Sequence, residues 1–437
     1  MSVIYSSFFC AGLLATSPYW LWRAAKKNEL SLTAARLGWT AWPLPAGMTD
    51  PVWFHAVSVG EVQAASPLIR LIRERRPDRA IALSVTTRTG MEVARKLLNG
   101  ISGVTGPLPF PLDVPWAVHR RLREIRPQAI VLIDTELWPN LISSAARRGT
   151  RIFVANGRIS DKSFPRYRAI RRFLRPMLQS ISVFWMQSDV DAERIAELGA
   201  PTKNIRVPGN LKIDALALSM GGGDAPARAE IPSGAPVVLA ASTHPGEEAM
   251  ILEAAGAWKS RGHRFHLAIA PRHPERAGEV QREIESAGFR TVRRSEMIRR
   301  AGAGPSWPDG ANQRDVLLID TIGELTRFFP RARVVFVGGS LVPRGGHNIF
   351  EPAAFGRPVV FGSHMENFRE ADQALNGRGG RKVFSADELS AVVESMLDNP
   401  ALAESTGRTA RETFESLKGA AGKIIGELLE AVDHGRS

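Results

Sequence analysis

Short apolar runs alternate with helical stretches along most of the chain, and this alternation constrains the fold more than any other feature. Strand-length runs rich in β-branched residues occur in the first half at 52–58, 81–87, 129–135, 151–156 and 183–187. The second half repeats the scheme at 237–241, 265–270, 316–320, 334–337 and 358–361. Such strands separated by helices are typical of a parallel sheet covered on both faces. The sequence predicts an α/β fold with two doubly wound domains.

A composition break separates the two halves. At 437 residues the chain is too long for one typical domain, and the stretch 216–236 is rich in glycine and proline, as interdomain linkers are. We predict four segments: an N-terminal membrane-anchoring segment 1–27, a first domain 28–215, a linker 216–236 and a second domain 237–437. Because ligands of doubly wound sheets bind beyond the carboxyl ends of the strands, we expect the active site in a cleft between the domains.

The N-terminal segment is apolar and is followed by basic residues. No charge occurs from Val3 to Trp22, and Arg23, Lys26 and Lys27 follow. About 20 apolar residues suffice to span a bilayer, but several serines and threonines interrupt this run. Two alternatives stay open: a spanning anchor, or a helix lying in the membrane interface. In both, the positive flank predicts that the rest of the chain is cytoplasmic.

The charge balance narrows the choice of partners. The formal net charge of +13 favours nucleic acid, an acidic membrane surface or phosphorylated substrates. We predict no nucleic-acid binding, because no recognised module is present and the basic residues are not interleaved with aromatic ones. The single cysteine, Cys10, excludes internal disulfides and fits a reducing compartment.

Three residues in the first half are candidates for catalysis. Glu61 opens the helix after the first strand, where the helix dipole would keep a carboxylate ionised, as a general base must be. The alternative is an ordinary helix N-terminus, where glutamate is common. Glu136 follows a strongly apolar strand together with Asp134, although a capping turn explains both acids equally well. Lys212 precedes the linker and can meet an anionic substrate group, or it is simply a solvated lysine.

The second half carries residues suited to a nucleotide. Arg272 closes a strand, and its planar guanidinium matches phosphate geometry. In Gly345–Glu351 a glycine loop meets a helix start, where free N–H groups can take a phosphate and Glu351 can accept from ribose hydroxyls. A plain glycine-rich turn is the alternative. The lysine and hydroxyl of a P-loop are missing, and no G-x-G-x-x-G follows the first strand, which argues against a nicotinamide enzyme.

No metal site and no cofactor are predicted. Asp189 and Asp191 form an Asp-x-Asp pair, but Ser188 before them favours a capped helix start. His263 and His266 are close in sequence, yet a spacing of three at the start of a strand sends their side chains to opposite faces.

Seven blocks, in this order, resemble the Kdo transferases of Gram-negative bacteria, which move 3-deoxy-D-manno-oct-2-ulosonic acid (Kdo) from CMP-Kdo to lipid A precursor. They are HAVSVGE (55–61), TELWPN (135–140), NGRIS (156–160), GNLKID (209–214), PRHPER (271–276), IGEL (322–325) and GGSLVPRGGHNIFEPAAFGRPVVFG (338–362). The resemblance implies a GT-B fold with two Rossmann-like domains, the acceptor in the first and the CMP-sugar in the second. It implies an inverting transfer to lipid IVA at the cytoplasmic side of the cell inner membrane.

The resemblance also implies roles for individual residues. Glu61 matches the general base, and Glu136 and Lys212 match the residues that stabilise the transition state. The positions that match the CMP contacts are Pro271, Arg272, Ile322, Gly323, Glu324, Asn348, Ile349, Phe350 and Glu351. We expect a basic apolar patch that includes Arg166–Phe173 to dock on the anionic membrane surface. The competing enzyme class is the sugar-nucleotide epimerases and hydrolases, which share the architecture but need no membrane segment.

Overall fold

The computed structural model describes residues 2–26, 28–221, 234–301 and 314–433. These residues form two compact units. The first unit is Met1–Leu218 with Lys418–Ser437, and the second is Ser219–Leu417. Most of the predicted linker 216–236 lies outside the described residues.

The first unit is built around a sheet whose strands are β1 Val52–Ala56, β2 Ile81–Val85, β3 Val104–Pro109, β4 Ala129–Ile133, β5 Arg151–Gly157, β6 Val183–Met186 and β7 Ile205–Arg206. Its helices are α1 Ser2–Lys26, α2 Leu30–Arg36, α3 Val59–Arg75, α4 Arg88–Leu98, α5 Pro115–Ile125, α6 Pro139–Ala146, α7 Phe164–Ala169, α8 Arg171–Leu178, α9 Asp189–Glu197 and α10 Leu211–Gly221. A 3₁₀ turn, Thr202–Asn204, precedes β7.

All strands of this sheet are parallel, in the order β3-β2-β1-β4-β5-β6-β7. Every residue of β1, β2 and β4 is buried, as expected for strands covered by helices on both faces. Helix α3 packs on one face through Val62, Ala65, Leu68, Ile69 and Ile72, which recur at helical spacing. The order reverses between β1 and β4, and this is the switch point where doubly wound folds bind ligands.

The second unit contains β8 Val237–Thr243, β9 His266–Pro271, β10 Arg290–Arg293, β11 Asp315–Leu318, β12 Ala332–Val337, β13 Val359–Phe361 and β14 Gly380–Lys382. Its helices are α11 Glu247–Ser260, α12 Ala277–Ser286, α13 Arg294–Ala301, α14 Phe350–Ala354, α15 Arg369–Leu375, α16 Ala386–Asp398 and α17 Pro400–Ser416. Short 3₁₀ helices occur at Pro274–Arg276, Leu325–Arg327 and Phe329–Arg331.

The second sheet is also parallel, in the order β10-β11-β9-β8-β12-β13-β14. Its order reverses between β8 and β12, so the loops after these two strands flank the second switch point. The prediction of an α/β fold with two Rossmann-like parallel-sheet domains is confirmed, and each of the ten predicted apolar runs contains a strand.

The last helix, α18 Ala420–Asp433, belongs to the first unit, whereas we had predicted a second domain that continues to residue 437. Its apolar face joins the core beneath α3 through Ala421, Ile424, Ile425 and Leu428. Polar contacts hold it as well. They are Trp185 Nε1 to Glu427 Oε2 at 2.8 Å, Arg79 to Asp433 at 2.7 Å and Gln128 Nε2 to the Val432 carbonyl at 2.6 Å. Burial of this face on the first sheet, rather than proximity in sequence, decides where the helix belongs.

The N-terminal segment forms α1, and the Ser6 hydroxyl donates to Asn140 Oδ1 at 2.8 Å. Among the described residues, we find no helix with the length and apolarity to cross a membrane. The predicted membrane-anchoring helix is therefore not confirmed, and an interfacial position stays a prediction. Tyr19, Trp20 and Trp22 are about half exposed, and Arg23 and Lys26 lie over the two tryptophan rings.

Candidate functional site

The first switch point holds Glu61 in the first turn of α3, directly after β1. Its Oε2 accepts a hydrogen bond from the Val57 N–H at 2.6 Å, and its Oε1 accepts one from the Ser58 hydroxyl at 2.9 Å. Burial raises the pKa of Glu61 against these two hydrogen bonds, which favour the charged form. We expected the helix dipole to keep this carboxylate ionised, whereas burial favours its protonated form and raises the pKa. The result is a more basic carboxylate than an exposed glutamate.

The loop after β4 brings Glu136 to the same place. Burial, followed by the charges of Glu61 and Asp134, raises the pKa of Glu136 to about 7. Lys212 Nζ lies 3.9 Å from Asp134 Oδ2, and its charge also lowers the pKa of Glu61. The structure thus brings the three predicted residues of the first unit into one cluster and adds Asp134 as the partner of Lys212.

Asn156 positions this cluster, and the sequence analysis missed its role. It is fully buried at the end of β5, where its Nδ2 donates to Asp134 Oδ1 at 2.6 Å and its Oδ1 accepts from the Leu211 N–H at 2.9 Å. Asn156 therefore joins the loop after β4 to the start of α10, which carries Lys212. Asp134 and Asn156 both have left-handed backbone, with φ of 57° and 63°, a conformation that Asp and Asn tolerate better than most residues.

In the second unit, the residues matched to CMP contacts lie at the end of β9, in the loop after β11, and from the loop after β12 into the first turn of α14. Pro271 is buried and Arg272 is exposed, and the charge of Arg272 lowers the pKa of Glu351 against the larger raising effect of burial. Asn348 Oδ1 accepts from the Phe350 N–H at 3.1 Å. The side chains of Ile349 and Phe350 are buried, so only their backbone groups are available to a ligand.

The loop after β11 presents Ile322, which is 88% exposed, and Gly323 with a φ of 84°. Glu324 accepts from Arg294 Nη2 at 2.9 Å and from the Thr321 hydroxyl at 2.6 Å. Partial burial acts to raise the pKa of Glu324, but these hydrogen bonds outweigh it and lower the pKa. The Glu324 carboxylate already has partners within the protein, so the neighbouring backbone groups are more available to a ligand than the carboxylate is.

A buried carboxylate that the sequence analysis missed shapes the second switch point. Glu247, fully buried at the start of α11, accepts four backbone N–H bonds at 2.7–3.1 Å, from His244, Gly339, Ser340 and Leu341. It ties the loop after β8 to the loop after β12. A Cβ on Gly338 would lie 2.6 Å from Glu247 Oε2, so the close approach requires glycine there. Three of its four partners are 92 to 94 residues away, so no local pattern could have revealed the contact with the loop after β12.

Two histidines close this site, and the sequence analysis did not pair them. His244 follows β8, His347 follows β12, and their Nε2 atoms are 2.9 Å apart. The rings are nearly parallel, with centroids 5.1 Å apart, and they pack over the backbone of Gly339. The pairing joins the two loops that flank the switch point, and Glu247 joins the same two loops.

The remaining metal-ligand candidates have structural partners. The Ser188 hydroxyl accepts from the Asp191 N–H at 3.2 Å, and Asp191 Oδ1 accepts from the Ile159 N–H at 2.7 Å, so this acidic pair forms a capped helix start. His263 hydrogen-bonds Glu394 at 2.9 Å. Across the described ranges, no group of three or more His, Cys, Asp or Glu side chains is arranged to hold a metal ion.

Known proteins share long stretches of this sequence. The family profile described as 3-deoxy-D-manno-octulosonic-acid transferase (kdotransferase) matches residues 32–215. The 3-deoxy-D-manno-octulosonic acid transferase of Haemophilus influenzae is 34% identical over 88% of this chain and 86% of its own length. The enzyme of the same name from Bordetella pertussis is 34% identical over 94% of each chain.

A solved structure shares the fold at low sequence identity. The UDP-GlcNAc 2-epimerase of Neisseria meningitidis, solved with UDP-GlcNAc, aligns with a TM-score of 0.60 and 14% identity over 87% of this chain and all of its own. At this identity the likeness concerns the fold alone. The alignments with the two transferases and with the epimerase each extend over most of this chain, so they include both units.

Proposed function

Because this chain belongs to the 3-deoxy-D-manno-octulosonic acid (Kdo) transferase family, we propose that it transfers Kdo from CMP-Kdo to lipid IVA. The family's activity is Kdo transfer in lipopolysaccharide biosynthesis, and its members are glycosyltransferases. The observation that supports the catalytic assignment is the cluster of Glu61, Glu136, Asp134 and Lys212 at the switch point of the first sheet. Catalytic groups of doubly wound enzymes gather at this position.

Glu61 acts as the general base in the proposed reaction. It removes the proton from a primary hydroxyl of the glucosamine disaccharide as that oxygen attacks the anomeric carbon of Kdo. The bond from this carbon to the phosphate oxygen breaks on the opposite face, CMP leaves with the electron pair, and the configuration inverts. The raised pKa of Glu61 brings its basicity closer to neutral pH, where general bases work best.

Glu136 and Lys212 stabilise the transition state by electrostatics. The Kdo ring gains oxocarbenium character, which a nearby carboxylate favours, and Kdo carries a carboxylate of its own that the Lys212 ammonium offsets. The side chain of Lys212 is 44% exposed and its Nζ lies 3.9 Å from Asp134 Oδ2, so it is accessible to a substrate. The pKa of Glu136, about 7, makes its charge depend on pH within the working range of the enzyme.

CMP binds to the second unit in this proposal. Arg272 and the backbone groups of 348–351 lie at the switch point of this unit. The exposed loop at Ile322 and Gly323 follows β11, which pairs with β9. We assign the cytidine and ribose to Pro271, Ile322, Gly323, Glu324 and Glu351, and the phosphate to Arg272. The sequence suggested two phosphate ligands, the Arg272 guanidinium and the N–H groups at the start of α14. Because α14 has only five residues, the guanidinium is the stronger of the two.

We place the enzyme at the cytoplasmic face of the inner membrane, with α1 in the interface. Helices α7 and α8 present Arg166, Arg168, Arg171 and Arg172 as exposed residues, and Ile170 and Phe173 are about half exposed beside them. Basic residues near an anionic surface contribute about 1 kcal/mol each. This patch is therefore proposed as the docking surface for the acidic membrane.

The docking surface can be tested by reversing its charge. R168E together with R171E should raise KM for the lipid acceptor several-fold, because the attraction to the anionic surface is lost. Hydrolysis of CMP-Kdo by the same variant should be unchanged. The matched control is R148E, an exposed arginine at the end of α6 outside the patch. An unchanged KM in vesicles of anionic lipid would remove the docking proposal and leave the transfer reaction standing.

The catalytic proposal is tested by mass spectrometry of lipid IVA incubated with CMP-Kdo that is generated in situ. Wild-type protein should add the mass of Kdo, and the number of units follows from the shift. E61Q should lower the transfer rate by about 10²- to 10⁴-fold while CMP still binds. E74Q, an exposed glutamate on the same helix, should behave like wild type.

Other outcomes of this assay favour the competing class. Release of free Kdo without transfer would indicate a hydrolase, as in the sugar-nucleotide enzymes that share the fold. Full activity of E61Q would remove Glu61 as the base and leave the family's reaction intact. Folded wild-type protein that neither binds CMP nor transfers Kdo would contradict the proposed donor.

A further inference from the structure

Basic side chains surround the His244–His347 pair on the side of the loops. Arg272, His273 and Arg276 lie after β9, and Arg344 lies in the loop after β12, and all act on His244. Arg272 and His273 also act on His347. His273 meets His244 edge to face, with ring centroids 5.8 Å apart. Arg272, His273 and Arg344 are exposed, so this basic rim is accessible.

The carboxylates near the pair are already engaged. Glu247 accepts four backbone N–H groups, and Glu248 accepts from Arg276 Nη1 at 2.8 Å and from the Thr243 hydroxyl at 2.8 Å. Glu351 accepts from Asn348 Nδ2 at 3.3 Å. One exposed carboxylate also lies at the rim, where Glu275 Oε1 is 3.3 Å from His273 Nδ1. The exposed guanidinium groups of Arg272 and Arg344 outnumber it, and this charge balance suits an anion.

The short contact between the rings places one hydrogen between the two Nε2 atoms. One Nε2 must donate to the other, so two neutral imidazoles share a single hydrogen in this contact. Burial, followed by the surrounding cations, lowers the pKa of His244 and lowers that of His347 to about 4. The pair is thus neutral at pH 7 when no anion is bound, and a further proton can add only at the unprotonated Nδ1 of the donating ring.

We propose that the His244–His347 pair binds the phosphate of CMP and takes up one proton from solvent as that phosphate becomes a dianion. This inference rests on the proposed function, because the phosphate is that of the donor. In CMP-Kdo the phosphate is a diester with one negative charge. When its bond to Kdo breaks, the released monoester carries a second charge, which offsets the neighbouring cations and favours the protonated pair.

This proton matters for catalysis because it arrives where charge develops. Interactions that strengthen in the transition state accelerate a reaction, whereas those equally strong in the substrate complex do not. The pair is neutral beside the diester and cationic beside the leaving monoester, so its interaction with the phosphate strengthens in the transition state. The two histidines come from the loops after β8 and β12, and the hydrogen bonds of Glu247 hold these same loops together.

Calorimetry can count the proton. CMP is titrated into the full-length protein at about pH 7.5, where the monoester is already a dianion because its second pKa is near 6. Repeating the titration in two buffers of different ionisation enthalpy gives the number of protons taken up. We expect about one proton per CMP for wild type and none for cytidine, which lacks the phosphate.

The variants are H244Q and H347Q, with H263Q as the matched control, since His263 bonds Glu394 instead. Both test variants should bind CMP more weakly and take up no proton, and the control should behave like wild type. H244N and H347N provide a second pair if a glutamine variant fails to fold. Binding of CMP by wild type without proton uptake, or uptake that persists in the folded variants, overturns the proposal.

Kinetics provides a second readout that a merely structural role would not change. In H347Q, kcat should fall by about 10²-fold with a smaller change in KM for CMP-Kdo, because the lost interaction belongs to the transition state. The pH profile of kcat should change shape as well as height. Failure of folded wild type to bind CMP at all would instead reject the donor assigned under the proposed function.

Discussion

Three carboxylates and one ammonium meet at the first switch point, and the ammonium offsets only part of the repulsion among the carboxylates. Glu61, Asp134 and Glu136 all have pKa values raised by burial, and Lys212 lies near enough to pair only with Asp134. Such an arrangement costs stability and is typical of sites selected for chemistry. The cost falls mainly on Glu136. Burial and the charges of Glu61 and Asp134 raise its pKa, and within the described residues no cation acts against them.

The pH dependence of stability tests this at the residue scale. The folded pKa of Glu136, about 7, exceeds its unfolded value, so the native state binds more protons between about pH 4.5 and 7 and stability falls as pH rises through this window. E136Q should therefore raise the free energy of unfolding by about 1–3 kcal/mol at pH 8 and change it little at pH 4.5. Urea denaturation at both pH values measures this. With E74Q as the exposed control, an equal effect at both pH values would contradict the prediction.

Residue-scale features were the hardest to predict from sequence. Glu61, Glu136 and Lys212 were proposed as site residues because each stands at the end of a recognisable strand or in a matched block. Two pairs organise the sites of the two units. Asp134 and Lys212 are 78 positions apart in the sequence (212 minus 134), and His244 and His347 are 103 positions apart. No periodicity within a helix or strand carries such information, so the topology must be known first.

At the scale of elements, the loops at the second switch point depend on a side chain from a helix. Glu247 supplies acceptors to the N–H groups of 339–341, which no regular element satisfies. Buried N–H groups without partners cost about 1–3 kcal/mol each. The geometry of the glycine-rich loop is therefore set by α11 as much as by the loop's own sequence.

Replacing this carboxylate should loosen the loop. E247Q turns one acceptor oxygen into a donor, leaves some of the four N–H groups unpaired, and should lower the free energy of unfolding by about 2–4 kcal/mol. Chemical denaturation provides the measurement. E253Q, an exposed position on the same helix, is the control. Equal stability of E247Q and E253Q would show that water replaces the carboxylate without cost.

The predicted strands were those that are completely or almost completely buried. Strands such as β1 and β4 read as unbroken apolar runs, and each was found. The missed strands lie away from the sheet centres. Strand β3 contains Gly106 and Pro107, β10 begins and ends with arginine, and β14 has three residues. Partial burial permits polar and turn-forming residues, which hide these strands from a hydrophobic pattern.

For the whole molecule, the packing of α18 on the first unit is the main departure from expectation. Ile425 is fully buried in that core, and I425A should lower the free energy of unfolding by about 2–5 kcal/mol. Hydrogen exchange should show the loss of protection in β1 and α3 rather than in the second sheet. K423A, exposed on the same helix, is the control. Loss of protection confined to the second unit would contradict the assignment of α18.

The position of α18 also affects how the protein is made. A ribosome that has finished the first sheet must add the 199 residues from Ser219 to Leu417 before this helix exists. At roughly 5–20 residues per second, that interval lasts on the order of 10–40 s. During it, the apolar groove on α3 that later receives Ile424, Ile425 and Leu428 is open to solvent. The nascent first domain therefore offers a transient hydrophobic surface to chaperones, and its folding finishes only after the second domain has emerged.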